Sequence, residues 1–160
     1  MKWIDENLEE AVVVFLMTLI TGLIGLQIFM RYVMGASLSW SEELARYCFI
    51  WMSYIGVAYA VRRNVSIATT VLADALPSRG LRLAVSLFAH IVFAAFALLV
   101  VSQGITLVQK ISGFGQKSAS LGLPMAYVYA APVVGFALTL IRLMQRIVLD
   151  LRAYQAGDPA

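Results

Sequence analysis

Three stretches of this chain run for twenty residues or more without an acidic or basic residue apart from one histidine: 11–30, 83–109 and, after a polar start, 118–141. A fourth, 41–61, carries charge only at its mouth. A membrane-spanning helix needs roughly 20 mostly apolar residues. These runs therefore predict four transmembrane helices at about 11–30, 41–61, 83–109 and 118–149, the last ending in a more amphipathic tail. Charged residues make up 13% of the chain, against about a quarter in soluble domains. With 61% hydrophobic residues, a small soluble domain could not bury its own apolar surface. The expectation is an all-α membrane protein forming one domain over residues 1–160.

The amino-terminal MKWIDENLEE is acidic where a secretory signal is basic, and the following apolar run is too long for a signal core. A retained first helix is expected. No basic block suggests nucleic acid, and no glycine-rich loop suggests a phosphate site. Cys48 is the single cysteine, so an intrachain disulfide is impossible and a thiolate metal site implausible. No metal, cofactor or enzymatic activity is expected.

The second run has the most structured entrance. Ser39 precedes Glu42 by three residues, the spacing of a capping box. Glu42 and Glu43 precede Arg46 by four and three residues, so both carboxylates can reach the guanidinium on one helix face. Residues 47–61 carry no charge, and Arg62 and Arg63 close the span. A structural ion-pair cluster at the outer boundary is favoured here over a substrate site.

Orientation follows the distribution of Lys and Arg. Lys2, Arg62, Arg63, Arg79, Arg82, Arg142, Arg146 and Arg152 fall on the side of the two termini; Arg31, Arg46, Lys110 and Lys117 fall on the other. Eight against four places both termini in the cytoplasm. The connection over 64–77 has a broad apolar side (Val65, Ala68, Leu72, Leu76) opposite Ser66, Thr69, Thr70 and Asp74. That pattern predicts a short cytoplasmic interfacial amphipathic helix. The connection over 110–123 is Gly- and Ser-rich and aperiodic, which predicts an outer loop.

Helices in lipid associate through small residues and polar contacts. Candidate seams are Ala131, Gly135 and Thr139 in the fourth helix, Ser53, Gly56 and Ala60 in the second, and Thr18 with Gly22 and Thr21 with Gly25 in the first. Intramembrane ionisable residues are functional candidates by default, and here the inventory is nearly empty. No carboxylate is expected deep in a span. His90 is expected to bond a neighbouring helix, and Gln27, Gln103 and Gln109 to serve as interhelical glue. An architecture without a transport pathway or catalytic constellation points to a subunit. A self-sufficient oligomeric transporter and a membrane anchor for another complex are the alternatives.

LSWSEELARYCFIWMSYIGVAYAVRRN, residues 38–64, resembles the small membrane (Q) subunit of tripartite ATP-independent periplasmic (TRAP) transporters, DctQ-like, and the likeness extends over almost the whole chain. Arg31, Trp40, Glu42, Glu43, Arg46, Gly56, Ala58 and Arg62 fill the family pattern. Ser66 and Thr70 stand where many relatives carry His and Asp, while Pro77 is kept. The resemblance implies a scaffold subunit in the bacterial inner membrane, without a transport site of its own. Its partners would be a large M subunit that moves sodium and substrate, a soluble periplasmic P protein, and the lipid bilayer. The implied substrates are carboxylates of the dicarboxylate or sialic acid type. Arg31, Trp40, Glu42, Glu43, Arg46, Gly56 and Arg62 become assembly candidates. Lys110, Phe114 and Lys117, on the outer loop, become candidates for docking the P protein.

Overall fold

The computed structural model describes residues 2–62 and 79–156, with side chains over 8–61 and 80–152. Four helices carry the fold: α1 (Lys2–Tyr32), α2 (Ser39–Arg62), α3 (Arg79–Gly113) and α4 (Ala126–Ala156). Each contains a segment long and apolar enough to cross a membrane: Leu8–Tyr32, Ser39–Val61, Gly80–Gly113 and Ala126–Arg152. The interfacial helix expected over 64–77 lies outside the described residues.

Three boundaries differ from the sequence reading. α1 begins at Lys2, well before residue 11, since no proline or glycine in its first turns breaks the helix. α3 runs on to Gly113, since nothing in Lys110, Ile111 or Ser112 breaks it. α4 starts at Ala126 rather than 118. Before it, residues 116–125 fold into a tight turn, with an antiparallel bridge between Lys117 and Pro124.

The helices form an open row in the order α1, α2, α4, α3. α1 packs on α2, α2 on α4, and α4 on α3, and no other pair of described helices comes together along its length. A soluble bundle would close on itself to hide apolar side chains. In lipid that drive is absent, and the row leaves Phe15, Phe29, Phe88, Leu98, Leu99 and Met144 exposed.

Each seam has its own chemistry. Between α1 and α2, Ile20 and Leu23 bury against Ala45 and Cys48, flanked by Leu16, Leu19, Leu44 and Met52. Cys48 is thus the small hydrophobe expected. Between α2 and α4, the fourth helix presents the buried run Ala131, Gly135 and Thr139. A Cβ at Gly135 would lie 2.6 Å from Tyr54 Cβ and 2.7 Å from Tyr54 O, so the two backbones meet here. Phe136 is the centre of the row: its ring lies 6.1 Å from that of Tyr54 on α2 and 5.6 Å, edge-on, from that of Phe96 on α3. Gly104 of α3 faces Val133 of α4, and Ala97 is fully buried.

The other expected seams do not close among the described residues. Nothing lies within 4 Å of a Cβ built at Gly22, Gly25 or Gly56. Thr18, Thr21 and Ser53 instead bond the carbonyls of Val14, Met17 and Phe49 one turn back. The hydroxyls are satisfied locally, so no neighbouring helix is required at these positions.

Candidate functional site

Polar side chains gather into two belts, one at each end of the row. Glu9 and Gln27 of α1 mark the two levels. They are eighteen residues apart, which at ~1.5 Å per residue is about 27 Å. This separation is close to the ~30 Å hydrocarbon thickness of a bilayer.

At the end carrying both termini, Arg142 Nε donates to Glu9 Oε1 at 2.7 Å. Glu9 is 1% exposed and Arg142 11%. Arg142 also donates from Nη1 to Gln145 Oε1 at 2.9 Å, and Tyr59 OH donates to Glu10 Oε2 at 3.2 Å. Among the described residues no carboxylate lies deep in a span, but Glu9, at the very end of the first, is buried inside the protein. It escaped notice because the first span was started at residue 11, leaving Glu9 among apparently solvated acids.

Farther along α4, Asp150 lies eight residues past Arg142, about 12 Å beyond it. Ser86 Oγ donates to Asp150 Oδ2 at 3.3 Å, and Arg146 Nε lies 3.3 Å from Oδ1. His90 Nδ1 lies 3.6 Å from Asp150 Oδ2, too far for a hydrogen bond. His90 therefore lies against α4, beside Asp150, without the hydrogen bond expected of it.

At the opposite end the two adjacent glutamates of α2 part company. Glu42 Oε1 accepts from Arg46 Nη2 at 3.2 Å, and Glu42 Oε2 accepts from Gln27 Nε2 of α1 at 3.3 Å. Both members of that ion pair are exposed, Arg46 at 66% and Glu42 at 60%. Glu43 does not join them. Its Oε1 accepts from Tyr47 OH, and its Oε2 accepts the backbone N–H groups of Ser120 at 2.8 Å and Leu121 at 3.1 Å. One helical step of about 100° turns the second carboxylate away from Arg46 and toward the α3–α4 turn. The capping box is also replaced: Ser41 Oγ donates to Leu38 O at 2.8 Å, while Glu42 points along the helix to Arg46.

The remaining candidates fall around this belt. Arg31 is exposed at the end of α1 and makes no ion pair with a described residue. Trp40 is exposed in the first turn of α2, and Arg62 is that helix's last residue. Glu42, Arg46, Phe49, Ser53, Gly56 and Ala60 recur at four- and three-residue steps, so they share one face of α2. Gln27 of α1 touches that face at Glu42, while Arg46, Phe49, Ser53 and Ala60 are exposed and a Cβ at Gly56 would meet nothing within 4 Å. Lys110 is exposed in the last turn of α3, Phe114 is 81% exposed just beyond it, and Lys117 is exposed in the turn.

The α3–α4 connection is ordered rather than loose. Ser118 N donates to Leu123 O (2.8 Å), Gly122 N to Ser118 O (3.2 Å) and Met125 N to Gln116 O (2.9 Å). Leu123 N donates to Ser118 Oγ at 3.2 Å. Gly115 and Gly122 take left-handed backbone, φ +60° and +66°, a conformation favouring glycine. Sequence reasoning missed this order because the bonds that make it are mostly between backbone groups.

Comparison with known proteins accords with this architecture. Residues 20–153 match the family of tripartite ATP-independent periplasmic transporters, DctQ component. An isethionate TRAP transporter permease protein of Oleidesulfovibrio alaskensis is 31% identical over 162 residues, covering 98% of this chain and 25% of that protein. The sialic acid TRAP transporter small permease protein of Vibrio cholerae is 33% identical over 101 residues, 62% of this chain and 58% of that one. The C4-dicarboxylate TRAP transporter small permease protein of Rhodobacter capsulatus is 31% identical over 113 residues, 69% of this chain and 48% of that one. The chain thus spans between a quarter and somewhat over half of these relatives' lengths. Four helices able to span a membrane, two polar belts a bilayer apart and a family match over most of the sequence give one conclusion: this multi-pass inner-membrane chain belongs to the DctQ component family of the tripartite ATP-independent periplasmic transporters.

Proposed function

We propose that the chain is the small permease subunit of a sodium-coupled, binding-protein-dependent importer of carboxylates. Its work is to brace a large permease subunit and to help dock a periplasmic binding protein. The observation that carries the subunit role is the match to the isethionate permease protein, in which a segment equivalent to 98% of this chain forms 25% of a longer permease; isethionate is a sulfonate, and the carboxylate class rests on the sialic acid and C4-dicarboxylate relatives. A unit that occurs within one polypeptide with a larger permease is suited to lasting contact with it. The open row supports the same reading, since three seams and no closed interior among the described residues leave broad apolar faces for a partner in the membrane.

The exposed face of α2 bearing Glu42, Arg46, Phe49, Ser53, Gly56 and Ala60 is the proposed side for the large subunit, with Arg31, Trp40 and Arg62 near its ends. Small residues there permit close helix approach. The 8:4 arginine and lysine bias supports cytoplasmic termini, which puts Lys110, Phe114 and Lys117 on the periplasmic side. The relatives' names differ in substrate, which fits a small subunit that does not choose it. The test is reconstitution: the large subunit and binding protein in liposomes, with and without this chain. Substrate uptake under a sodium gradient is expected only with all three. Full uptake in its absence, at equal large-subunit yield, would overturn the scaffold role.

A further inference from the structure

Two backbone donors of the α3–α4 turn find their acceptor on another helix. Within residues 116–125 the N–H groups of Ser118, Gly122, Leu123 and Met125 find partners in the turn itself. Those of Ser120 and Leu121 find theirs on α2, in a single carboxylate oxygen of Glu43. Backbone donors require acceptors, and successive N–H groups converge into a small anion-binding concavity. Bonds from such a concavity to a carboxylate are charge-assisted, shorter and stronger than neutral ones. Tyr47 steadies the same carboxylate from one helical turn away, and its hydroxyl also lies 3.4 Å from Met125 Sδ, where the turn enters α4. Helix α2 thereby holds a turn more than seventy residues away in sequence, and Phe114, Lys117 and Leu123 are displayed, exposed, around it.

We propose that Glu43 is a positioning residue for binding-protein docking: its carboxylate presets the conformation of the 116–125 turn, whose rim meets the soluble partner. The docking half rests on the functional reading above; the preset turn does not. The partner surface it fits is an acidic one with an apolar contact, complementary to Lys110, Lys117 and Phe114. A preset turn lowers the ordering cost of each encounter. Loosening it therefore weakens docking and leaves the transport cycle of the large subunit unchanged.

The experiment uses the whole permease, purified with its large subunit and reconstituted with binding protein. Glu43→Gln keeps size and polarity but offers the two N–H donors only a neutral carbonyl and can turn its own N–H₂ toward them. Amide exchange over 118–123 is expected to accelerate at least tenfold. The binding-protein concentration giving half-maximal uptake is expected to rise severalfold, with the maximal rate kept. Glu43→Asp, which restores a carboxylate one methylene shorter, is expected to recover part of both. Ser118→Ala removes the acceptor of Leu123 N–H from inside the turn, together with the hydroxyl that also contacts Glu43 and Tyr47, and leaves the Glu43 carboxylate in place; it serves as a second variant if Glu43→Gln does not insert, with the same shifts expected. Unchanged exchange in both variants would overturn the preset turn. Faster exchange with unchanged half-saturation would overturn the docking role alone. Wild-type uptake that ignores the binding protein would overturn the functional reading, while the exchange measurement would still decide what Glu43 does.

Discussion

Glu9 and Arg142 are 133 residues apart in sequence and 2.7 Å apart in space, and they join α1 to α4, two helices that do not otherwise pack together. The pair sits near the last turns of α2, where Ala58 is fully buried and Tyr59 bonds the adjacent Glu10. Removing one member of a buried ion pair commonly costs about 3–5 kcal/mol, because the other charge is stranded, whereas replacing both with apolar residues is often neutral. Glu9→Leu alone and Arg142→Met alone are therefore expected to lower the thermal midpoint of the detergent-solubilised permease. The double variant is expected to recover most of the loss. Additive losses in that cycle would show the two side chains to be energetically independent.

Two glycines that look alike in sequence are expected to behave differently. Gly135 abuts the backbone of Tyr54, so Gly135→Ala forces α2 and α4 apart and is expected to destabilise the chain by about 1–3 kcal/mol, the usual range for overpacking. Gly56 has open space around it, so Gly56→Leu is expected to leave the chain's own stability nearly unchanged and to reduce recovery of the large subunit in affinity purification. A Gly56→Leu chain that captures its large subunit at wild-type yield would remove this face from the assembly surface.

The orientation is checked by labelling in a background where Cys48 is replaced by alanine. The Ala119→Cys variant is expected to react with an impermeant maleimide in intact cells, and the Gln155→Cys variant only after the membrane is opened. The reverse pattern would place the turn in the cytoplasm and exclude it from meeting a periplasmic protein.

Charge on the turn is expected to act on encounter rate more than on residence. In Lys110→Glu with Lys117→Glu, half-maximal uptake is expected to need more binding protein, most visibly at low salt, where screening is weakest. If the dependence on binding protein is unaltered at every ionic strength, the two lysines serve only to anchor helix ends at the lipid headgroups.

What could be read beforehand follows from which interactions leave a periodic trace. Absence of charge over twenty residues is such a trace, and it located three of the four helices; the second, uncharged only over 47–61, was marked by the charges that bracket it. Small residues four apart are another, and Ala131, Gly135 and Thr139 do line a seam. The same spacing at Ser53, Gly56 and Ala60 marks a face left open within this chain, because the pattern records that a helix can be approached closely and not by whom. The belts were less legible. Which arginine meets Glu9 depends on the order of helices in the row, and nothing local to residue 9 or 142 encodes it. Glu43 was assigned to Arg46 because side-chain charges are visible in a sequence, whereas the backbone N–H groups it binds are present at nearly every residue and so carry no signal.

A row one helix thick behaves as a plate, stiff along its rods and compliant about the lines between them. The Glu9–Arg142 tie crosses two of the three such lines at one end, so α1, α2 and α4 flex as a panel. α3, fastened along a single seam and about 52 Å long for its 35 residues, is the leaf that bends first. A neighbour that changes shape would therefore bend the plate first along the line between α4 and α3.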